Sequence, residues 1–433
     1  MKNIKITPSE LKGEVNIPPS KSMSHRAIIC ASLSEGISNI DNVDFSDDII
    51  ATLEGMKSLG VEVLGIEKDK EKSTSKVIIK GKDELKVLND TIDCFESGST
   101  IRFLIPIATL ANEKIKVTGR GRLVERPMDT YYKIFEKQNI KYETTDGKIP
   151  VTIEGKIKPD TFEMEGNISS QFITGLLFTL PLLNEDSKIV ITTELESKGY
   201  VDLTIDVLKK FGIEIENKDY KEFYIRGNQK YKARDYKVEG DYSQVAFWIV
   251  GGILNGDIKC NGLDLESLQG DKVVLEIVKK MGANIITEGD SVIVKKSKTK
   301  GTVIDASECP DIIPILSVLA SVSEGETRVI NGKRLRIKES DRLNSTATIL
   351  NELGADVEEL EDGLIIRGVE KLKGGVTLDS WGDHRIAMAL GIASTICEEP
   401  IIITNSHVVA KSYPNFWEDF TEVGGKINEW NMG

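Results

Sequence analysis

The sequence lacks most features of membrane, metal-binding and secreted proteins. It contains no run of about 18 apolar residues, so no membrane span is expected. Its start has neither the apolar core nor the cleavage site of a signal peptide, and a cytoplasmic location is expected. The five cysteines form no CxxC pair, which favours reduced thiols. The three histidines lie too far apart for the spacing of a zinc site.

Signatures of nucleotide cofactors are also missing. The chain has no GxGxxG and no Walker-type loop, so neither a cofactor nor a metal is expected. The formal net charge of 56 − 69 = −13 argues against a nucleic-acid partner. The length of 433 residues indicates two or three domains, and any cluster of Lys and Arg on so acidic a chain is informative.

What the sequence does contain is a sixfold repeat of an amphipathic helix, a stop and two short strands. The copies begin at Ala51, Tyr131, Thr204, Leu275, Ala347 and, in a shorter form, Phe416. Glycine and asparagine suit the left-handed cap that ends a helix. Such residues stand at Gly60, Asn139, Gly212, Gly282, Gly354 and Gly424, and they define a unit of roughly 70 residues.

Each unit also contains a second helix that is apolar on most sides and therefore buried. The fold class predicted is α/β (α+β), with two similar domains of three units each. Buried helices lie inside each domain, and sheets and amphipathic helices lie outside. The predicted N-terminal domain is 20–238. The predicted C-terminal domain is 239–433 together with 1–19, because strand patterns in the first residues complete the truncated sixth copy.

Polar residues at the start of the first buried helix are candidate anion ligands. Helix N-termini bind anions because their N–H groups lack partners. Ser20 is a candidate N-cap. Lys21 lies where the helix dipole disfavours a cation unless an anion docks there, and Ser22 and Arg26 share a face. A capped helix with solvated cations is the alternative.

Two further helix starts and one loop continue this pattern. Gly98 permits close approach of a ligand to the backbone, although a glycine between serines also fits an N-cap. Ser169, Ser170 and Gln171 suit a hydroxylated or phosphorylated small molecule. The loop 119–127 contains three arginines, of which Arg126 is the last, and guanidinium groups fit phosphate or carboxylate. An exposed basic loop is the alternative.

The second half contributes a charged stretch at residues 338–342. If it is helical, Lys338 and Arg342 lie on one face and repel each other by roughly a few tenths of a kcal/mol, which an anionic ligand would offset. Glu339 between them is a carboxylate that could transfer a proton. Asp311, at the start of the fifth buried helix, is either an N-cap or a base. A solvated helix face is the alternative for the charged stretch.

Arg385 and Lys411 add two cations to the same half, next to His384, which is predicted to be a structural hydrogen bonder. The cations of both halves predict an enzyme whose cleft between the domains binds two small anions and closes to exclude water.

Ten stretches in a fixed order carry a specific resemblance. They are PPSKSMSHR at 18–26, SGSTIR at 97–102, ERPM at 125–128, GNISSQF at 166–172, SKGYVDLT at 197–204, EGDYS at 239–243, PD at 310–311, RIKESDRL at 336–343, GDHRIAMA at 382–389 and AKSYPNF at 410–416. The chain resembles the enolpyruvyl transferase family of 3-phosphoshikimate 1-carboxyvinyltransferases, or EPSP synthases. The resemblance implies a two-domain fold and a monomer. It also implies transfer of enolpyruvyl from phosphoenolpyruvate to the 5-hydroxyl of shikimate 3-phosphate, in aromatic amino-acid biosynthesis.

The resemblance also implies roles for individual residues. Those implied to bind shikimate 3-phosphate are Lys21, Ser22, Arg26, Ser169, Ser170, Gln171, Ser197, Tyr200, Asp311 and Lys338. Those implied to bind phosphoenolpyruvate are Lys21, Gly98, Arg126, Gln171, Arg342, Arg385 and Lys411. Asp311 is implied to accept the 5-hydroxyl proton, and Glu339 with Lys21 to handle the proton of the methylene carbon. The chain departs from many relatives at Glu96 and Arg334, where asparagine is common.

Other functions remain in view. The sister enzyme that acts on UDP-N-acetylglucosamine has Lys-Asn at the first helix start and a cysteine in a mobile loop. Here the pair is Lys21-Ser22, and residues 119–129 contain no cysteine. A non-catalytic anion-binding protein on the same scaffold is another possibility, but retention of Asp311 and Glu339 argues against it. An RNA-end phosphate cyclase would be expected to have a catalytic histidine and a less acidic surface.

Overall fold

The computed structural model describes residues 2–69 and 74–431, which form two compact units. One unit is Pro19–Val238. The other consists of the residues up to Pro18 and those from Glu239 onward. Each unit has its own hydrophobic core. No helix of the described ranges is both long enough and apolar enough to cross a membrane.

Helices of two kinds alternate along the chain. The described residues form the helices α1 (Lys21–Ser32), α2 (Asp47–Ser58), α3 (Gly98–Ala108), α4 (Asp129–Gln138), α5 (Ser170–Thr179), α6 (Lys198–Lys210), α7 (Tyr242–Asn255), α8 (Val274–Lys280), α9 (Ile313–Ala320), α10 (Arg342–Glu352), α11 (His384–Ser394) and α12 (Phe416–Glu422). The odd-numbered helices are almost entirely buried, whereas the even-numbered ones have one buried face. This alternation confirms the predicted pair of buried and amphipathic helices in each unit.

Short strands separate the helices. They are β1 (Lys2–Thr7), β2 (Leu11–Asn16), β3 (Ser34–Val43), β4 (Glu62–Lys68), β5 (Ser75–Gly81), β6 (Thr91–Asp93), β7 (Ile115–Thr118), β8 (Lys141–Thr145), β9 (Lys148–Glu154), β10 (Thr161–Met164), β11 (Ser187–Ile191), β12 (Ile215–Lys218), β13 (Glu222–Ile225), β14 (Tyr231–Lys232), β15 (Tyr236–Lys237), β16 (Gly256–Asn261), β17 (Asn284–Glu288), β18 (Ser291–Lys295), β19 (Val303–Asp305), β20 (Glu326–Ile330), β21 (Asp356–Glu359), β22 (Leu364–Arg367), β23 (Thr377–Asp379), β24 (Ile401–Thr404) and β25 (Lys426–Asn431).

The strands form six small sheets of one design. Their orders are β14-β3-β5-β4 with β15 also paired to β3, β6-β7-β9-β8, β10-β11-β13-β12, β17-β18-β16-β2, β19-β20-β22-β21 and β23-β24-β1-β25. In a regular copy such as β6-α3-β7, the strands before and after the buried helix pair in parallel. The hairpin after the amphipathic helix then adds two antiparallel strands. The repeated unit of the predicted fold class is therefore confirmed.

Two copies exchange their first strands. Strand β2 precedes α1 but pairs in parallel with β16, which follows α7. Strands β14 and β15 precede α7 but pair in parallel with β3, which follows α1. The first residues therefore belong to the sheets of the C-terminal unit. Strand β1 lies between β24 and β25, the position that the second hairpin strand takes in a regular copy, and so completes the truncated sixth copy.

The predicted helix stops adopt the backbone that ends a helix. Gly60, Gly212, Gly282, Gly354 and Gly424 have φ between 85° and 101°. Asn139 ends α4 in the left-handed conformation with φ 56°. This conformation turns the chain out of the amphipathic helix and into the following hairpin. The interval between stops therefore sets the length of the repeat.

Candidate active site

The start of α1 provides the first group of site residues. Ser20 is the N-cap, because its hydroxyl accepts from the backbone N–H of Met23 at 3.4 Å. Lys21 forms an ion pair with Asp48 at 2.8 Å, and both side chains are mostly shielded from solvent. Asp48 lies in the first turn of α2. Lys21 is therefore held by a carboxylate of the neighbouring helix instead of extending freely into solvent.

Arg26 is buried one turn further along α1 and is held by three oxygen atoms. Its Nη1 donates to the Ser22 carbonyl at 2.7 Å, its Nη2 to the Tyr200 carbonyl at 3.1 Å and its Nε to Thr204 Oγ1 at 2.9 Å. Burial lowers the pKa of Arg26 to about 10. Ser197 is buried beside this group and begins α6 with a left-handed φ of 56°. The structure thus brings Ser22, Arg26 and Tyr200 together.

A second group surrounds the start of α3, where the helix is capped by Ser97. A Cβ added to Gly98 would lie 2.4 Å from Arg126 Nη1 and 3.4 Å from Arg102 Nη1. The two guanidinium groups therefore lie against the backbone of this helix start. Arg102 donates to Gln171 Oε1 at 2.7 Å. This arrangement brings Gly98, Arg126 and Gln171 together.

The start of α5 lies beside this group. Ser169 is its N-cap, with the hydroxyl 3.3 Å from the Gln171 backbone nitrogen. Gln171 Nε2 donates to Ser99 Oγ at 2.8 Å. Ser170, the first residue of the helix, is buried. Ser169, Ser170 and Gln171 therefore lie next to the Gly98 group, and the amide side chain of Gln171 makes the contact.

The three arginines of the loop 119–127 differ in their exposure to solvent. Arg120 is exposed, forms an ion pair with Asp93 at 2.5 Å and lies over the ring of Phe95. Arg122 is also exposed, whereas Arg126 is buried. The alternative of a solvent-exposed basic loop therefore fits the first two arginines but not Arg126.

The prediction that Lys338 and Arg342 lie on one helical face is wrong. A 3-10 helix ends at Ile337, Lys338 is extended, and α10 begins only at Arg342. Asp341 ends the extended stretch because its carboxylate caps α10, accepting from the Asn344 N–H at 3.2 Å. Asp341 is also the partner of a neighbouring cation, since Arg336 Nη1 lies at 2.9 Å.

Lys338 and Arg342 instead converge on Asp311. Lys338 Nζ lies 3.2 Å and Arg342 Nη1 2.7 Å from the same oxygen, Oδ1. Asp311 is in a 3-10 helix that precedes α9, whose N-cap position is Ile312, so the N-cap interpretation of Asp311 is wrong. Burial opposes ionisation of Asp311, but the surrounding cations prevail and hold its pKa well below the usual range. The carboxyl is therefore ionised near neutral pH.

Arg342 is the most constrained cation of this group. It is 1% exposed, and its guanidinium contacts Asp383 Oδ2 at 2.8 Å, Glu339 Oε2 at 2.8 Å and Asp311. Burial alone would lower the pKa of Arg342, but these carboxylates raise it well above its usual value. Burial lowers the pKa of Lys338, partly offset by Asp311. Glu339, the predicted proton carrier, is thus anchored beside the predicted base.

The start of α11 and the end of the 3-10 helix Ser406–Lys411 supply the remaining predicted residues. Arg385 is buried, its Nη1 donates to the Ser243 carbonyl at 3.1 Å, and its Nη2 lies 4.0 Å from Asp311 Oδ2. Its Nε has no hydrogen-bond partner among the described residues. Lys411 Nζ donates to the Gly382 carbonyl at 2.9 Å. His384 is buried, with Nδ1 3.8 Å from Asp383.

Three residues in these groups were missed by the sequence analysis. Asp48 pairs with Lys21, Arg102 lies beside Gly98 and Gln171, and Asp383 holds Arg342. The positions of Asp48 and Asp383 at helix starts were a usable signal, but that signal equally indicates capping. Indeed, Asp383 also accepts from the Arg385 N–H at 2.9 Å as the N-cap of α11. In the ranges that the structure describes, no group of three His, Cys, Asp or Glu residues could hold a metal ion.

Comparison with known proteins shows the family of the chain. The family model described as EPSP synthase (3-phosphoshikimate 1-carboxyvinyltransferase) matches residues 6–420. Proteins named 3-phosphoshikimate 1-carboxyvinyltransferase from Clostridium novyi and Clostridioides difficile are 64% and 56% identical, with 100% of each chain covered. A solved EPSP synthase from Acinetobacter baumannii superposes with a TM-score of 0.83 at 26% identity, over 100% of both chains. The chain belongs to the EPSP synthase family.

Proposed function

We propose that the chain transfers the enolpyruvyl group of phosphoenolpyruvate to the 5-hydroxyl of shikimate 3-phosphate. The products are 5-enolpyruvylshikimate 3-phosphate and phosphate. Membership of the family over nearly the whole chain supports this reaction. The structural observation that carries it is the Asp311 carboxylate, which is about three-quarters shielded from solvent and lies against Lys338 and Arg342. A proton acceptor among cations suits the addition of a hydroxyl to an anionic substrate.

The N-terminal unit would hold the phosphate of shikimate 3-phosphate. Lys21, Ser22 and Arg26 offer cations and a hydroxyl at one helix start, where backbone N–H groups favour an anion. Tyr200 and Ser197 lie at the start of α6 beside Arg26. Ser169, Ser170 and Gln171, at the start of α5, would contact the same substrate.

Phosphoenolpyruvate would be bound by residues of both units. In one unit these are Lys21, Gly98, Arg126 and Gln171. In the other they are Arg342, Arg385 and Lys411. The buried Arg385 Nε, which has no partner among the described residues, is a donor suited to such an anion. We therefore infer that each unit contributes a group of anion ligands, called the N-terminal and the C-terminal half-site.

The reaction is an addition followed by an elimination. The 5-hydroxyl oxygen bonds to C2 of phosphoenolpyruvate while Asp311 takes the hydroxyl proton. The methylene carbon gains a proton from Glu339, with Lys21 assisting, and becomes a methyl group. In the second step Glu339 removes a proton from that methyl group, the double bond forms again and the C2–O bond to phosphate breaks. Each proton transfer to a positioned side chain contributes about 10²–10⁴-fold to the rate.

Because of these ion pairs, the pKa of Asp311 should depend on whether the substrates are bound. Lys338, Arg342 and Arg385 hold its pKa low, against the effect of burial. Anionic substrates would draw these cations toward themselves, and the pKa of Asp311 would then rise. The carboxylate thus becomes a stronger base once the substrates are bound.

Release of phosphate from phosphoenolpyruvate tests the proposal. The purified chain is given phosphoenolpyruvate with shikimate 3-phosphate and, in parallel, with UDP-N-acetylglucosamine. Release with the first acceptor and none with the second is expected. Release only with the second would establish the sister activity, and release with neither would leave a non-catalytic anion-binding protein.

We also propose that the chain acts as a monomer in the cytoplasm.

A further inference from the structure

A buried carboxyl group lies close to the C-terminal half-site but has no role in the mechanism above. Asp271 belongs to the 3-10 helix Gly270–Val273, directly before α8, and is 1% exposed. Its Oδ2 accepts a hydrogen bond from the hydroxyl of Ser243. Burying a carboxyl group is costly unless its contacts compensate, so this position needs an explanation.

Ser243 connects this carboxyl to a cation of the half-site. It lies in the first turn of α7, where its backbone N–H donates to the N-cap Asp241 at 2.8 Å. Its carbonyl oxygen accepts from Arg385 Nη1 at 3.1 Å. The side chain of one residue therefore contacts Asp271, while its backbone contacts Arg385. Any shift of Ser243 would move the acceptor that orients this guanidinium.

The guanidinium of Arg385 is oriented by that carbonyl and by the ring of Phe247, whose centroid lies 6.0 Å away. Its Nη2 is 4.0 Å from Asp311 Oδ2, which is too long for a hydrogen bond, and its Nε has no partner among the described residues. A neutral carbonyl positions the guanidinium without cancelling its charge. The charge thus stays available to an anionic ligand.

We propose that Asp271 is a positioning residue for phosphoenolpyruvate, acting through Ser243 on the guanidinium of Arg385. The inference rests on the proposed function, because it assigns a support to one of the residues proposed to bind that substrate. Asp271 does not contact the reacting atoms. Its effect is on where Arg385 lies relative to Asp311.

The electrostatics of the group agree with this role. Burial, and then the negative charge of Asp311, raise the pKa of Asp271 to about 7. Near neutral pH a large share of this carboxyl is therefore protonated. A protonated group keeps an oxygen for the Ser243 hydroxyl while adding little negative charge near Arg385. Asp271 can thus support Arg385 without weakening the attraction of Arg385 for an anionic substrate.

Four single variants, and the double variant Asp271→Ala with Ser243→Ala, test the proposal in the phosphate-release assay. Asp271→Ala and Ser243→Ala each remove the hydrogen bond, whereas Asp271→Asn keeps an acceptor oxygen for Ser243. Val278→Ala is the matched control, because Val278 is a fully buried residue of α8 whose truncation weakens packing in the same region. For each variant the KM for phosphoenolpyruvate, kcat, binding of shikimate 3-phosphate and the unfolding temperature are measured.

The KM for phosphoenolpyruvate is expected to rise about tenfold in Asp271→Ala and in Ser243→Ala, since misplacing a binding group by about 1 Å can cost up to roughly 100-fold. The double variant should be no worse than either single one, because both remove the same contact. Asp271→Asn should stay within about twofold of the wild type. Val278→Ala should lower the unfolding temperature and leave this KM unchanged.

Three results would overturn the inference. An unchanged KM in a folded Asp271→Ala or Ser243→Ala variant is one, and an equal rise in Val278→Ala is another. Equal defects in Asp271→Asn and Asp271→Ala are the third, because the charge and not the hydrogen bond would then matter. If Asp271→Ala does not fold, Asp271→Asn and Ser243→Ala still decide the question. Failure of the wild type to release phosphate would instead refute the proposed function, and the inference with it.

Discussion

Replacing Gly98 by alanine would probe the N-terminal half-site with a single methyl group. Gly98 is the first residue of α3, and its backbone lies against the guanidinium of Arg126. Its φ is not in the left-handed region, so alanine fits the backbone there. Alanine is also the better helix former by up to about 1 kcal/mol, so the substitution should not destabilise the fold.

The geometry sets the size of the effect. The new Cβ would lie 2.4 Å from Arg126 Nη1, whereas ordinary contacts begin near 3.4 Å, a difference of 1.0 Å. The end of an arginine side chain can move by this distance at little cost in stability. The same displacement takes the guanidinium away from its proposed ligand. We expect the KM for phosphoenolpyruvate to rise between about tenfold and 100-fold.

Steady-state phosphate release measures this KM, and calorimetric titration measures the affinity for shikimate 3-phosphate, which should not change. Gly65→Ala is the control, because a Cβ at Gly65 would meet only the Ile78 side chain at 3.7 Å. An unchanged KM in a folded Gly98→Ala variant would refute the assignment of Arg126 to phosphoenolpyruvate. A loss of affinity for both substrates would indicate a general distortion of the helix start.

Three further predictions concern carboxyl groups. Asp311→Ala should lower kcat by about 10²–10⁴-fold while shikimate 3-phosphate still binds, and loss of binding with unchanged turnover of bound substrate would contradict the base role. Asp383→Asn should lower the free energy of unfolding by about 3 kcal/mol at pH 7, because it removes the charge of the fully buried carboxylate that pairs with the buried Arg342. Burial opposes ionisation of Asp383, but the charge of Arg342 lowers the pKa of Asp383. The loss of unfolding free energy should therefore persist down to about pH 4 and fade only below it. Urea denaturation at several pH values measures this. Burial raises the pKa of Asp44 to about 6, so the folded state loses stability as the pH rises from about 4 to 6. Asp44→Asn should therefore be about 2 kcal/mol more stable than the wild type at pH 7 and equal to it at pH 3.5. An equal gain at both pH values would contradict this.

Local sequence patterns were sufficient to predict much of the architecture. The alternation of buried and amphipathic helices follows from where apolar residues lie along each segment, which is a property of about 12 neighbouring residues. The stops at Gly60 and Asn139 also act locally, because their left-handed backbone depends on the residue type. The exchange of β2 with the strands before α7 is different, since it pairs residues about 200 or more positions apart.

The charged stretch at 338–342 illustrates the limit of such patterns. A spacing of four suggested a shared helical face, but the capping carboxylate of Asp341 starts the helix only at Arg342. Lys338 and Arg342 nevertheless meet, on Asp311. Their convergence comes from the packing of an extended segment and a helix start against the 3-10 helix at Pro310–Ile312. No spacing within the stretch encodes that contact.

The sequence by itself determined the repeat, the helix types, the family resemblance and the chemical kinds of group at each helix start, because all of these depend on residues near one another in the chain. Only the tertiary structure decided which charges are paired. It placed Asp48 on Lys21, Asp383 on Arg342 and Ser243 between Asp271 and Arg385. The physical reason is that Coulomb and hydrogen-bond energies depend on distances in space, and folding sets these between residues that lie far apart in the chain.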